Sequence, residues 1–476
     1  MKKALHLNKC FPLIIFCLLL CGSVHGQKPQ EIKRVDLIVS GGTIVTMDGE
    51  RRIIEDGAIA IQGDATVAIG KRAEIEAKYA AQRRIQAHGK LILPGLINGH
   101  THAPMTLLRG LKDDVTLEEW LTKYIFPAEA KNVTEDFVRW GTRLAALEMI
   151  RGGTTTYADM YYFEDAIAEE TKAAGMRGVL GETVIDFPAP DSKTPQQTLA
   201  YAEGFLKKWK GDPQIHAAVA PHSIYTCSEK TLRDSAALAR KYGAAILIHV
   251  AETKREREES EAKNGLSPVG YLDKLGVLGP DVLAAHCIWV DAADRKLLAA
   301  RDVGCVHNPS SNMMLASGVA PVAELRAAGV RLGLGTDGTA GSNNDLDMME
   351  EMDLAAKLQK VTRMDPRALG AKDALEMATI EGARALHLER EIGSLEPGKK
   401  ADFIILGLDA PHAVPMFDVY AQIVYALKAS DVETVVIGGK LVMRDRRVLT
   451  LSEASIIAKA REYGRQVERS LAVPTR

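Results

Sequence analysis

Two histidines one residue apart, His100 and His102 in "PGLINGHTH", close a run of apolar residues. Alternate side chains of a strand face the same way, so both imidazoles can reach one cation. His222 in "APHSI", His249 in "HVAE", His286 in "AAHC" and Asp337 in "GTDG" each end another short apolar run. One histidine in such a place is ordinarily a hydrogen-bonded core residue; a whole set of them at strand ends is a metal site. His100, His102, His249 and Asp337 offer three imidazoles and a carboxylate, a donor set for one Zn2+ with a position left for water. Fe2+ and Mn2+ accept the same donors. An ion held this way lowers the pKa of its water from about 15.7 to about 7, so hydroxide becomes available at neutral pH.

Glu252 lies three residues beyond His249 and would face the opposite way in a continuous strand. A strand that ends near Val250 returns Glu252 to the metal side. There it can take a proton from water and deliver it to a leaving nitrogen. His286 can polarise the attacked atom or steady the hydroxide, and Asp337 can serve as ligand and proton acceptor together. Past Glu252 the run "ETKREREESE" reads as a solvated face. His216, His307 and His387 read as structural.

These side chains need a scaffold that gathers strand ends. Eight short apolar runs, from "LILPGLINGHTH" to "VRLGLGTDG", alternate with helical stretches such as "EDFVRWGTRLAALEMIRG". Near-continuous apolar strands separated by helices imply a parallel sheet. Eight units over about 300 residues is the size of an α/β fold of the (β/α)8 or TIM-barrel type, whose active groups sit at the C-terminal strand ends. An open doubly wound sheet is the alternative that shares this periodicity. The β-branched runs "VDLIVSGGTIVTMDG" near the start and "VETVVIGGKLVMRDRRVL" near the end are of another style. They predict a small β-sandwich domain built from both chain ends, residues 33–90 plus 393–450, around a barrel over 91–392 and before a C-terminal helix over 451–476. The segment Met105 to Met149, between the first two strands of the barrel, is expected to wall or cover the pocket.

"PGLINGHTH", "HVAE", "AAHC", "GTDG" and "GSLEPGKKADFIIL" resemble the amidohydrolase superfamily over about residues 35–450. Within it, "PMTLLRGLKDDVTLEEWLTKYIFPAEAK" and "APHSIYTCS" are similar to the deaminases of 5'-methylthioadenosine and S-adenosylhomocysteine, and the triazine and guanine aminohydrolases share much of the pattern. The resemblance implies the same barrel with its small β domain, metal ligands His100, His102, His249 and Asp337, and proton handling by Glu252 and His286. It adds Glu129 in "FPAEAK" as a contact to ribose hydroxyls and His222 as a substrate contact, with Glu252 and Asp337 also facing the substrate. A carboxylate suits vicinal hydroxyls because it accepts two hydrogen bonds. Two-metal members of the superfamily carry a lysine on the fourth strand; "IHAAVAPHSI" has none, which implies one metal. Relatives that act on S-adenosylhomocysteine are expected to offer arginine to its carboxylate, and "LGETVIDFPAPDSKTP" after the third strand has none.

The expected reaction is hydrolytic deamination of an adenine nucleoside such as 5'-methylthioadenosine, adenosine or S-adenosylhomocysteine. The alternatives are hydrolysis of another C–N bond, action on a triazine or guanine-type ring, and an exported metal-binding protein without catalysis. The substrate is a small molecule. With 476 residues, a net charge of −2 and no basic cluster, nothing suggests a nucleic-acid partner; a homo-oligomer is open. Lys2, Lys3 and Lys9 precede "FPLIIFCLLLC" and the small residues up to Gly26, the pattern of an export signal over residues 1–26. The run is short of the roughly 20 residues a span needs, so the mature protein is expected in the periplasm or outside the cell, with lipid attachment at Cys21 a lesser alternative. Cys227, Cys287 and Cys305 would remain, an odd number without C-x-x-C spacing, and read as buried apolar residues rather than disulfides.

Overall fold

The computed structural model describes residues 32–471; residues 1–26, expected to be an export signal, lie outside them. The chain opens with β1 (Lys33–Val45), β2 (Ile53–Gln62), β3 (Ala65–Lys71), β4 (Tyr79–Gln86) and β5 (Leu91–Pro94). Eight parallel strands follow: β6 (Leu96–Thr101), β7 (Thr154–Tyr161), β8 (Arg177–Val184), β9 (Ile215–Pro221), β10 (Ile246–Val250), β11 (Val282–His286), β12 (Gly304–His307) and β13 (Arg331–Leu334). The chain returns to the first sheet with β14 (Phe403–Leu406), β15 (Val432–Ile437), β16 (Lys440–Arg444) and β17 (Arg447–Val448).

Strands β6 to β13 neighbour one another in sequence order, and each coincides with one of the eight apolar runs. Their helices start on side-chain caps written in the sequence: Thr134, Thr194, Ser228 and Asp291 each accept a backbone N–H from the first turn. The seam between the first and last strands is closed by polar groups. Asn98 donates from Nδ2 to Thr336 Oγ1 at 2.8 Å and accepts the Thr336 N–H at 3.0 Å. One step further the Asp337 N–H donates to the His100 carbonyl at 2.9 Å. Closure of the barrel thus sets two of the predicted metal ligands side by side.

The chain ends build one continuous nine-stranded sheet rather than two separate ones. The reason lies in β1, which is 13 residues long and shifts register around Gly42. Beyond β2 its first half pairs with β4 and its last residues with β5, so one bent strand serves both halves. Leu37, Val39, Ile59, Ile61, Phe403 and Ile405 collect on one apolar cluster of this sheet. The last helix, Glu453–Leu471, lies on helix Glu135–Arg151, where the Tyr463 hydroxyl donates to Asp136 and its ring meets Phe137 edge-on.

A buried ion pair joins sheet and barrel. Arg177, at the start of β8, donates from Nη2 to Asp402 Oδ2 at 3.2 Å, and the two side chains are 2% and 3% exposed. Asp402 also accepts the Gly438 N–H. Removing one member of such a pair strands the other charge away from water. Asp402→Ala is therefore expected to lower stability by about 3–5 kcal/mol while leaving activity at low temperature intact, as urea unfolding and a parallel assay would read.

Candidate active site

All eight predicted site residues come to the C-terminal mouth of the barrel, where His102, Glu129, His222, His249, Glu252, His286 and Asp337 line a single cavity and His100 sits just beneath. His100 lies in β6 and His102 immediately after it, with their rings 4.9 Å apart. His100 Nε2 and His102 Nε2 are each 3.3 Å from Asp337 Oδ1, and His249 Nε2 is 3.4 Å from His102 Nε2. Donors bound at about 2.0–2.2 Å to a tetrahedral cation stand just over 3 Å from one another, so these separations match a shared ion. His100 Nε2 is buried and lacks a proper hydrogen-bond partner. A sealed nitrogen without a donor or acceptor is costly, and a cation would satisfy it.

The other ring nitrogens are already committed. His102 Nδ1 donates to the Met160 carbonyl at 2.6 Å and His249 Nδ1 to the His222 carbonyl at 2.8 Å. Each bond fixes the tautomer that leaves Nε2 free for metal. Asp337 is held by the Ser311 hydroxyl at 2.6 Å on Oδ2 and by the Gly338 N–H at 2.7 Å on Oδ1. Its backbone is left-handed, with φ 68°, as is that of His286, with φ 73°. Non-glycine residues rarely adopt that conformation, and such strain gathers where side-chain direction matters.

Charge in this cluster is shared. Burial drives His100 down to about 4 despite the carboxylate beside it. Burial also opposes charge on His102, but its hydrogen bond to Asp337, the charges of Asp337 and Asp159 and the Met160 carbonyl prevail and raise it to about 9. Both imidazoles face the same carboxylate oxygen, and the surroundings favour the charged form on His102 rather than on His100. Asp337 itself is held well below the usual carboxylate range, its histidine contacts overcoming burial.

Glu252 projects to the metal side because β10 ends at Val250 and Ala251 turns through φ 51°. Its Oε2 is 3.8 Å from His286 Nε2, and His286 Nε2 is 3.9 Å from Asp337 Oδ2. Burial, then the Asp337 charge, pushes Glu252 up to about 8. His286 Nδ1 meets Asn312 Oδ1 at 2.9 Å. Glu129, on helix Phe126–Asn132, is 2% exposed and accepts the Tyr161 hydroxyl at 2.7 Å; burial raises it to about 7 against that bond. His222 Nδ1 lies 3.1 Å from Thr226 Oγ1, and burial holds the ring down near 3.

Reasoning from the sequence missed the groups that hold these. Ser311 and Asn312 follow β12 in "HNPSSN", and polar residues just past a barrel strand were the available signal. Glu256 requires a correction. It falls in the run read as solvated, yet it is 4% exposed and its carboxylate accepts the Ala251 and Glu252 N–H groups. Its position at the third residue of helix Lys254–Asn264 turns it inward, while Glu258 and Glu259 of the same run are exposed.

Over the cavity lie Leu117, Trp120, Leu121, Ile125 and Phe126 from the segment between β6 and β7. Trp120 Nε1 donates to the Ala340 carbonyl at 3.0 Å, Glu118 pairs with Arg255, and Phe126 meets Phe187 edge-on at 5.2 Å. Cys227, Cys287 and Cys305 are free and buried. Among the described residues no helix is long and apolar enough to cross a membrane.

A barrel of this kind with such a cluster at its mouth is that of the amidohydrolase family, and the chain belongs to it: the family's profile matches residues 91–442. A 5-methylthioadenosine/S-adenosylhomocysteine deaminase of Syntrophus aciditrophicus is 45% identical over 445 residues, 93% of this chain and all of that one. A 5'-deoxyadenosine deaminase of Methanosarcina mazei is 42% identical over 91% of this chain and 98% of its own length. Among solved structures, an adenosine deaminase from Xanthomonas campestris with bound zinc superposes with a TM-score of 0.90 at 37% identity, covering 92% of this chain and 100% of that one.

Proposed function

We propose that this protein hydrolyses the exocyclic amine of an adenine nucleoside. Water adds at C6, the C6–N bond breaks, and the products are the 6-oxo purine nucleoside and ammonia. The observation that carries the reading is the pairing of a three-histidine, one-aspartate donor set with His286, which stands 3.8 Å from Glu252 and 3.9 Å from Asp337. Metal storage needs neither Glu252 nor His286. His100, His102, His249 and Asp337 would hold one divalent cation, for which zinc is our assignment. When bound, such a cation is a Lewis acid that makes water a nucleophile at neutral pH. Glu252 would take a proton from the attacking water and deliver it to the leaving nitrogen; a carboxyl raised toward neutrality can do both. His286, its Nδ1–H fixed on Asn312 Oδ1, turns Nε2 toward the reacting centre as a hydrogen-bond acceptor that can steady the attacking water. Glu129, oriented by the Tyr161 hydroxyl, receives the ribose hydroxyls.

Beyond the ribose the wall is apolar, formed by Leu117, Leu121, Ile125 and Phe126, the last packed on Phe187, and among the described residues no Lys or Arg lines the cavity. A 5'-methylthio or 5'-deoxy group fits such a wall. A homocysteine tail would leave its charges without partners. The test is a panel of adenosine, 5'-methylthioadenosine and S-adenosylhomocysteine with the zinc-reconstituted protein, followed by loss of the adenine absorbance and by ammonia. Deamination is expected, with kcat/KM for 5'-methylthioadenosine above that for S-adenosylhomocysteine by about tenfold or more. No ammonia from any adenine nucleoside would refute the reading, and release from triazine or guanine rings instead would redirect it.

A further inference from the structure

We infer that Glu256 is a positioning residue for the proton relay: its buried carboxylate holds the backbone turn that carries Glu252 over the metal centre. The inference rests on the role proposed for Glu252. His249 faces the cavity, so an uninterrupted strand would send the side chain three residues later into the barrel wall. The chain avoids this by the left-handed turn at Ala251, with φ 51°. An alanine in that conformation is strained by about 1–2 kcal/mol, so something else must hold it. On one side the Glu256 carboxylate accepts two successive amides, Ala251 N–H at 3.0 Å and Glu252 N–H at 2.7 Å. On the other side the Ala251 carbonyl accepts the N–H groups of Ile288 and Trp289 at 3.0 and 2.9 Å, just beyond His286. The Thr253 hydroxyl in turn accepts the Glu256 N–H at 3.1 Å, which starts the helix that aims the carboxylate inward. The turn is clamped between the residue we propose to orient it and the segment that carries His286.

Two neighbouring N–H donors need two acceptor oxygens. A carboxylate supplies both, whereas an amide supplies one and sets its own N–H2 against the second donor. Glu256→Gln therefore frees one of the two amides without removing bulk. The displaced Glu252 is expected to lower kcat by about tenfold to a hundredfold, with KM and bound zinc unchanged, and Glu256→Ala to lower it further. Scaffold damage would produce similar numbers, so a double-mutant cycle decides. If Glu256 acts through Glu252, then Glu256→Gln costs kcat little or nothing more once Glu252→Gln is present. A full multiplicative loss in that background, or unchanged kcat in Glu256→Gln alone, overturns the inference. Unchanged kcat in Glu252→Gln alone overturns the relay reading and this inference with it, so the two failures are told apart by which single variant is silent.

Discussion

Glu252→Gln is expected to lower kcat by about two to four orders of magnitude, the range that a positioned acid–base group contributes, with KM and zinc content near their original values. At about 1.36 kcal/mol per tenfold, the barrier rises by roughly 3–5 kcal/mol. The substitution keeps the shape and hydrogen-bonding reach of the side chain and removes only its ability to exchange a proton. The loss is assigned to kcat because Glu252 stands beside His286, 3.8 Å from its Nε2, rather than along the apolar wall. Burial is what suits the carboxyl to the task. The side chain is 3% exposed and raised to about 8, so near neutrality it neither keeps nor refuses a proton strongly. Steady-state kinetics with metal measured on the same samples checks this. Undiminished kcat would assign the relay to another group.

The barrel and the cluster of polar residues at its mouth were legible because both signals are periodic. Each strand is a short apolar run, and most of the histidines that end a run come to the mouth, as His249 and His286 do, while His307 stays out of the cavity. Glu252 was legible by parity, since a residue three beyond His249 can join it only if the strand stops. Glu256 and Glu129 were not. Each sits on a helix, Glu256 in a charged run and Glu129 between two alanines, and only the three-dimensional path decides that it is buried; resemblance to relatives supplied Glu129, and nothing in the sequence supplied Glu256. The supports of the ligands were hidden for another reason. His102 and His249 are oriented by the carbonyls of Met160 and His222, and a carbonyl carries no mark of residue type. The single bent sheet was hidden too, because the pairing of β1 with both β4 and β5 depends on a register shift near Gly42 that alternation does not reveal.

Loss of the cation should abolish turnover, and it should become easier as pH falls. His102, raised to about 9, and Asp337, held low, form a proton-sharing pair at 3.3 Å. A cation binds only the neutral imidazole, so it must displace that proton. The sign follows: below about 9 the proton competes, each further drop in pH strengthens the competition, and His249 and His100, held low by burial, join in only under acid conditions. Chelator at about pH 6 should therefore strip the protein at a concentration that leaves it loaded at about pH 8. Asp337→Asn should behave differently. It removes the carboxylate that raises His102, so less of the competing proton remains, but it also removes the only anionic ligand. We expect weaker zinc binding at every pH, a flatter pH dependence of that binding and activity lower by at least about a thousandfold. Binding to the folded state alone contributes RT ln(1 + [L]/Kd), about 4 kcal/mol at a thousand times Kd, so zinc should raise the melting temperature of the original protein and do so less in the variant. Titration calorimetry at several pH values with matched melting curves reads both effects. A zinc affinity independent of pH between about 6 and 8 would mean that the proton between His102 and Asp337 is not the one displaced, and that the ion is held by other groups.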